Sequence, residues 1–176
     1  MELKVIKKQC NSNDCIVCGM QNHASLKASL YEVEGDMIVG LLAGDECHQS
    51  YPHRMHGGII SALLDEIIGR AVNIFEPDTF GVTGALEVKF KKPVPLGEEI
   101  KVVGKVVRNT SRLFESEGFI EDESGNILAM AHATYIKQPI EVIAGAKLSE
   151  QDWYVIPDNL EYIDVKNVDY FETRHF

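Results

Sequence analysis

In HRMHGGIISALLDEIIGRAVNIF, residues 53–75, a His-Gly-Gly and two adjacent carboxylates share one apolar segment. Gly57 and Gly58 carry no side chain, so a substrate can approach their backbone N–H groups. The first N–H groups of a helix lack internal partners and hold the positive end of its dipole. An oxyanion can form there. A glycine turn that merely admits a close-packed helix would use the same residues. Ile59, Ala62, Leu63, Leu64, Ile67, Ile68, Ala71 and Val72 occupy most of the helix circumference. Asp65 is therefore expected to be partly buried and in need of partners; Ser61 lies one turn earlier on its face. Glu66 precedes Arg70 by four residues, the spacing of an ordinary helical ion pair. That leaves Asp65 as the carboxylate without a structural task, and a poorly solvated carboxylate can act as general base or nucleophile.

The spacing also bears on assembly. Gly58 and Asp65 are seven residues apart, roughly 10 Å at about 1.5 Å per residue. A reacting carbonyl must lie about 3 Å from both the oxyanion donors and the attacking group. One helix hardly achieves this. Two antiparallel helices from two subunits do, which points to a homodimer with two shared sites.

Elements that could position these groups follow from the pattern. LKASLYEVEGDMIVGLLAG reads as two strands turning at Glu34-Gly35-Asp36. A His-rich loop leads to the helix, which is expected to run from Gly58 to about Phe75, before Pro77. In GALEVKFKKPVP, Leu86, Val88 and Phe90 face one way and Glu87, Lys89 and Lys91 the other, as in a half-buried strand. EEIKVVGKVVRN, LFESEGFIEDES and ILAMAHATYIKQP supply further strands. In the last, Ile127, Ala129, Ala131, Ala133 and Tyr135 share a face small enough to pack on a helix. A helix apolar nearly all round must be wrapped. The expected fold class is α+β, a curved antiparallel sheet around one central helix. Residues 1–24 read as a polar lead-in, 25–140 as the domain, and 141–176 as an acidic extension packed on it or on a partner through Trp153, Tyr154 and Tyr162.

Composition narrows the function classes. The chain has 176 residues, 45% hydrophobic and 25% charged, with a net charge of −10. That charge argues against a nucleic-acid-binding surface. The N-terminus has no signal-peptide pattern, and Asp65, Glu66 and Arg70 rule the longest apolar stretch out as a membrane span. A cytoplasmic location is expected. Cys10, Cys15, Cys18 and Cys47 are then expected to be reduced. CIVC is one close pair where structural zinc usually takes two. A tight turn with small buried thiols is the simpler reading, and no metal is expected. A redox role lacks the strand-helix context of thioredoxin.

Taken together, HGGIISALLDEIIGRA, VTGALEVKFKKPVPLGEEI and CIVCGMQN resemble the hotdog-fold acyl-CoA thioesterases, in particular the phenylacetyl-CoA thioesterase-like (PaaI-like) branch, over residues 15 to 138. The resemblance implies a hotdog fold and hydrolysis of an acyl-CoA to free acid and CoA, without cofactor. It implies that Gly57, and Gly58 with it, receive the thioester oxyanion, that His56 shapes their turn, and that Asp65 of the partner subunit acts as base or nucleophile. Thr83 matches a hydroxyl position that holds the water or the carboxylate. Lys91, Lys92, Asn109, Ser111 and Arg112 stand where such proteins contact CoA. Dimers pairing into tetramers are compatible with it. NHASLKASL departs from the Asn-Pro-x-Gly-Leu of relatives, and the loop CHQSYPHRMHGG carries three His residues, where a hydrophobic or aromatic position is frequent before the motif. The rival readings are a hotdog acyl-CoA hydratase or dehydratase and a non-catalytic acyl-CoA binding module.

Overall fold

The computed structural model describes residues 1–145, 149, 152–173, 175 and 176. Helix α1, Gly57–Gly69, is the apolar segment read above. It ends earlier than the expected Phe75, because Arg70–Ile74 tighten into a 3₁₀ turn before Pro77. Ile60, Leu63, Leu64, Ile67 and Ile68 are buried on it; complete burial of such a side chain contributes about 1.5–3 kcal/mol.

Around α1 runs one antiparallel sheet of eight strands. In chain order they are β1 (Glu2–Lys8), β2 (Ser29–Val33), β3 (Met37–Ala43), β4 (Phe80–Phe90), β5 (Glu99–Asn109), β6 (Leu113–Asp122), β7 (Ile127–Gln138) and β8 (Tyr162–Asp164). Their spatial order is β4-β7-β6-β5-β3-β2-β1-β8. The β2–β3 hairpin turns at the expected residues, with Gly35 and Asp36 both at positive φ, 84° and 58°. Period-two alternation explains β4 to β7: one face of each strand packs on α1. Ala129, Ala131 and Ala133 of β7 are buried there, small enough to let the helix approach. Ile127 departs from the expected face. The β6–β7 ladder shifts at Glu121, and Ile127 packs with the outer cluster instead.

The sheet has a second, outer core. Tyr31, Val33, Val39, Val103, Phe119 and Met130 bury themselves beneath Ile163, Val165 and Tyr170 of the C-terminal segment. The polar lead-in thus begins with a sheet strand, β1, which pairs Leu3 with Ile163. Glu121, with no exposed surface, anchors the segment. Its carboxylate accepts from Lys166 N–H at 2.9 Å, Asn167 N–H at 3.2 Å and Asn167 Nδ2 at 2.7 Å. Of the aromatics expected to dock the tail, Trp153 stacks on Arg70, and Tyr154 exchanges backbone hydrogen bonds with Asn11. Tyr162 is instead exposed. Residues 146–148, 150, 151 and 174 of the acidic extension lie outside the described residues.

Candidate active site

Asp65 sits at the middle of α1, half-buried. β4 and β7 bring it two hydroxyls. Thr83 Oγ1 donates to Oδ1 at 2.9 Å and to Oδ2 at 3.1 Å. Tyr135 OH lies 3.1 Å from Oδ1 and donates at 2.8 Å to the Asp65 backbone oxygen. The two donors are cross-strand partners in the β4–β7 ladder, next to the shift between Thr83 and Ala85. Such an irregularity re-aims a side chain, here the Thr83 hydroxyl toward the helix. Tyr135 is held by stacking on Phe114, with ring centroids 4.8 Å apart.

Desolvation raises the Asp65 pKa above the ordinary carboxylate value; the Thr83 and Tyr135 hydroxyls oppose the rise, and Glu66 adds to it. Burial and the Asp65 charge together push the Tyr135 hydroxyl far up, so it remains a donor. The result is a carboxylate with a raised proton affinity and fixed orientation. It borders a cavity of about 270 Å³ shared with Cys15, Cys18, Glu66, Arg70 and Trp153. Glu66 pairs with Arg70 at 2.9 Å, as its spacing predicts.

The helix start is built differently from the expectation in one respect. His56 caps α1, its Nδ1 accepting from Gly58 N–H at 2.9 Å. A neutral imidazole accepting at Nδ1 carries its proton on Nε2. The Gly58 donor is therefore engaged. Gly57 N–H has no acceptor among the described residues, and Gly57 lines a second cavity of about 520 Å³ with Phe90, Arg54, Lys91 and Lys92. That cavity shares no residue with the one at Asp65.

The other expected CoA contacts divide. Lys91 and Lys92 border the Gly57 cavity, with Lys92 Nζ donating to Asn126 Oδ1 at 2.6 Å. Asn109 and Ser111 line a separate cleft beside Glu76 and Lys137. Asn109 Nδ2 donates to Glu76 Oε1 at 2.9 Å. Arg112 is exposed in the β5–β6 turn. Sequence reading missed Tyr135 as a partner of Asp65. A phenol on a face otherwise made of alanines was the available signal, since a buried tyrosine hydroxyl usually finds an acceptor.

A long antiparallel sheet curled about one central helix is the hotdog fold, and the carboxylate and bare helix terminus lie where α1 meets β4. The family described as the Thioesterase superfamily matches residues 53–129, from the helix start into β7. Mouse acyl-coenzyme A thioesterase 13 is 23% identical over 109 residues, 61% of this chain and 78% of that protein. A solved thioesterase superfamily protein superposes with a TM-score of 0.64 at 24% identity, over 71% of this chain. This chain spans 60% of that protein's length. The Escherichia coli PaaI protein from the phenylacetic acid degradation operon superposes at 0.58 with 15% identity, over 64% of this chain and 80% of that one. Residues 53–129 thus match the Thioesterase superfamily, and the whole sheet and helix have the hotdog fold of its solved members.

Proposed function

We propose that the protein is an acyl-CoA thioesterase, acting in the cytoplasm as a homodimer with two shared sites. The observation that carries this reading is Asp65: a half-buried carboxylate oriented by Thr83 and Tyr135 at the edge of a cavity. Asp65 takes a proton from water, and the hydroxide attacks the thioester carbonyl. Gly57 N–H of the partner subunit receives the oxyanion. The tetrahedral intermediate collapses, CoA leaves as thiolate, and the proton held by Asp65 neutralises it. We prefer the base role over direct attack by Asp65, since desolvation raises its affinity for a proton.

Dimerisation is supported by two features. Gly57 and Asp65 open on separate cavities within one chain. β4 is the terminal strand of the sheet, and Val82 and Phe90 on it are 45% and 55% exposed. An open apolar edge strand is a template for pairing. Pairing β4 with its copy sets the two α1 helices antiparallel, so each Gly57 can approach the other Asp65. Lys91, Lys92 and Arg54 near Gly57 suit the phosphates of CoA. Asn109, Ser111 and Arg112 contribute to CoA binding only if the assembly brings them to that cavity. In the PaaI-like reading, residues 25–140 carry the chemistry and the flanking segments support it.

The test is thiol release across a panel of straight-chain, branched and aromatic acyl-CoA esters, with the Asp65→Asn variant alongside. The reading requires at least one ester to be hydrolysed by the wild type and not by the variant. Undiminished turnover in the variant sinks the assignment. Turnover of enoyl-CoA alone, without thiol release, moves the protein to the hydratases.

A further inference from the structure

The Cys-x-x-Cys pair lies in the wall of the Asp65 cavity. Cys15 is half-buried and opens on that cavity, whereas Cys18 has no exposed surface. The turn joining them is tight. Gly19 N–H donates to the Cys15 oxygen at 2.9 Å, and a Cβ at Gly19 would sit 2.3 Å from that same oxygen. Both sulfurs and a Glu66 oxygen lie within 4.8 Å of one another.

Such a trio invites a metal ion, but Arg70 already takes the cation's place. Its Nη2 is 3.3 Å from Cys18 Sγ and 2.9 Å from Glu66 Oε1. Its Nη1 donates to the Cys10 oxygen at 3.2 Å, and the Trp153 ring covers the guanidinium at 3.9 Å. A guanidinium keeps its charge at any working pH; against Cys18 it opposes the rise that the Cys15 contact, burial and Glu66 impose on that thiol. Cys15 Sγ accepts from Val17 N–H at 3.3 Å and from Cys18 N–H at 3.5 Å. The Cys18 thiol beside it is the largest influence drawing the Cys15 pKa down, against burial and Glu66. The same contact, with burial, drives Cys18 up. An accessible thiolate-forming cysteine thus stands next to a buried protonated one. This is the division of labour between an attacking and a resolving thiol.

We propose that Cys15 and Cys18 are a redox-active dithiol whose disulfide reshapes the wall of the Asp65 cavity. The oxidant is a low-molecular-weight disulfide, RSSR. Cys15 thiolate attacks one of its sulfurs, and the other leaves as RS⁻ and is protonated. Cys18 passes its proton to Glu66, 3.7 Å from its sulfur, attacks the Cys15 sulfur and expels the second RS⁻, which takes up that proton. The two cysteines lose two electrons and two protons, and RSSR becomes two RSH. A disulfide draws the sulfurs to about 2.05 Å. Cys18 then has no S–H for Glu66, and the Arg70–Trp153 stack above it resettles.

Trp153 is the only tryptophan of the chain, so its fluorescence reports this wall directly. The test takes the full-length protein, reduces it with dithiothreitol and equilibrates it with oxidised glutathione. Alkylation and peptide mass spectrometry should show loss of two of the four reactive thiols, both from the Cys15–Cys18 peptide. Trp153 emission should change in step and return on reduction. Cys18→Ser should stop at a glutathionyl adduct on Cys15. Free Cys15 and Cys18 under oxidised glutathione, or a lasting adduct on wild-type Cys15, overturn the proposal. So does stoichiometric zinc protecting both thiols in freshly purified protein, or a disulfide that leaves Trp153 emission unmoved. The effect on hydrolysis rests on the thioesterase reading, whereas the disulfide does not. A reversible disulfide in a protein that hydrolyses no ester in either state leaves the dithiol standing and removes that reading alone.

Discussion

Thr83 donates its hydroxyl to both oxygens of the Asp65 carboxylate, at 2.9 and 3.1 Å. That contact opposes the rise in pKa that desolvation imposes on Asp65. A donor to a carboxylate favours its ionised form. Replacing Thr83 with Val removes the donor, so the Asp65 pKa rises further. A base must be ionised to act, and activity is lost as pH falls through its pKa. The acid limb of kcat/KM should therefore move to higher pH in Thr83→Val, and in Tyr135→Phe for the same reason. A full pH–rate profile checks this, and an unmoved limb would separate Asp65 from the titration.

Asp65→Asn keeps the size and most hydrogen-bonding capacity of the side chain but removes its basicity. Turnover should fall by about 10²–10⁴-fold while the circular dichroism spectrum stays that of the wild type. Glu66→Gln should be mild. It weakens the pair with Arg70, whose partners also include the Cys10 oxygen and the Trp153 ring. The glutamine side chain still offers Arg70 an amide oxygen at the same place, so the buried guanidinium is not left without an acceptor.

The two glycines Gly57 and Gly118 should respond oppositely to alanine. A Cβ at Gly57 meets only the Phe90 ring, at an ordinary 3.6 Å. Gly57→Ala should leave stability unchanged or raise it by about 0.4–1 kcal/mol, yet lower hydrolysis by crowding the free N–H. At Gly118 a Cβ would lie 2.4 Å from Ile68 Cγ2 and 2.5 Å from the Val103 oxygen. Gly118→Ala should cost about 1–3 kcal/mol, visible in thermal melts, without a matching defect per folded molecule.

Glu121 ties the C-terminal segment to the sheet through three donors. Glu121→Ala leaves those N–H groups without their acceptor, a loss of about 1–3 kcal/mol for each buried group that stays unsatisfied. Limited proteolysis should then cut between residues 156 and 176 while the wild type resists. Equal resistance in both proteins would show that apolar packing of Ile163, Val165 and Tyr170 suffices.

Helix α1 and strands β4 to β7 were legible because each buries one face locally, and the sequence repeats with the matching period. The sites where reading fell short depend on distant partners. In ELKVIKK, Ile6 remains 64% exposed, and β1 owes its place to β2 and β8. Glu121 falls within the strand LFESEGFIEDES, and its role as an anchor depends on partners 45 and 46 residues later. His56 as a cap that engages Gly58 N–H depends on a side-chain rotamer, which spacing does not encode. Asp65 was legible for the opposite reason: a carboxylate on an apolar helix, with no i+4 cation of its own.

The pairing of Leu3 with Ile163 gives the sheet a temporal order. β1 leaves the ribosome long before its second neighbour, β8, has been made. Hairpins such as β2–β3 and β5–β6 close over a few residues and can form early, whereas the β1–β8 ladder must close a loop of well over a hundred residues. Non-local pairing of this kind slows folding, since loop entropy is lost before contacts repay it. The outer face of the sheet, with Phe119 and Met130 on it, thus stays uncovered until Ile163, Val165 and Tyr170 have been made and docked.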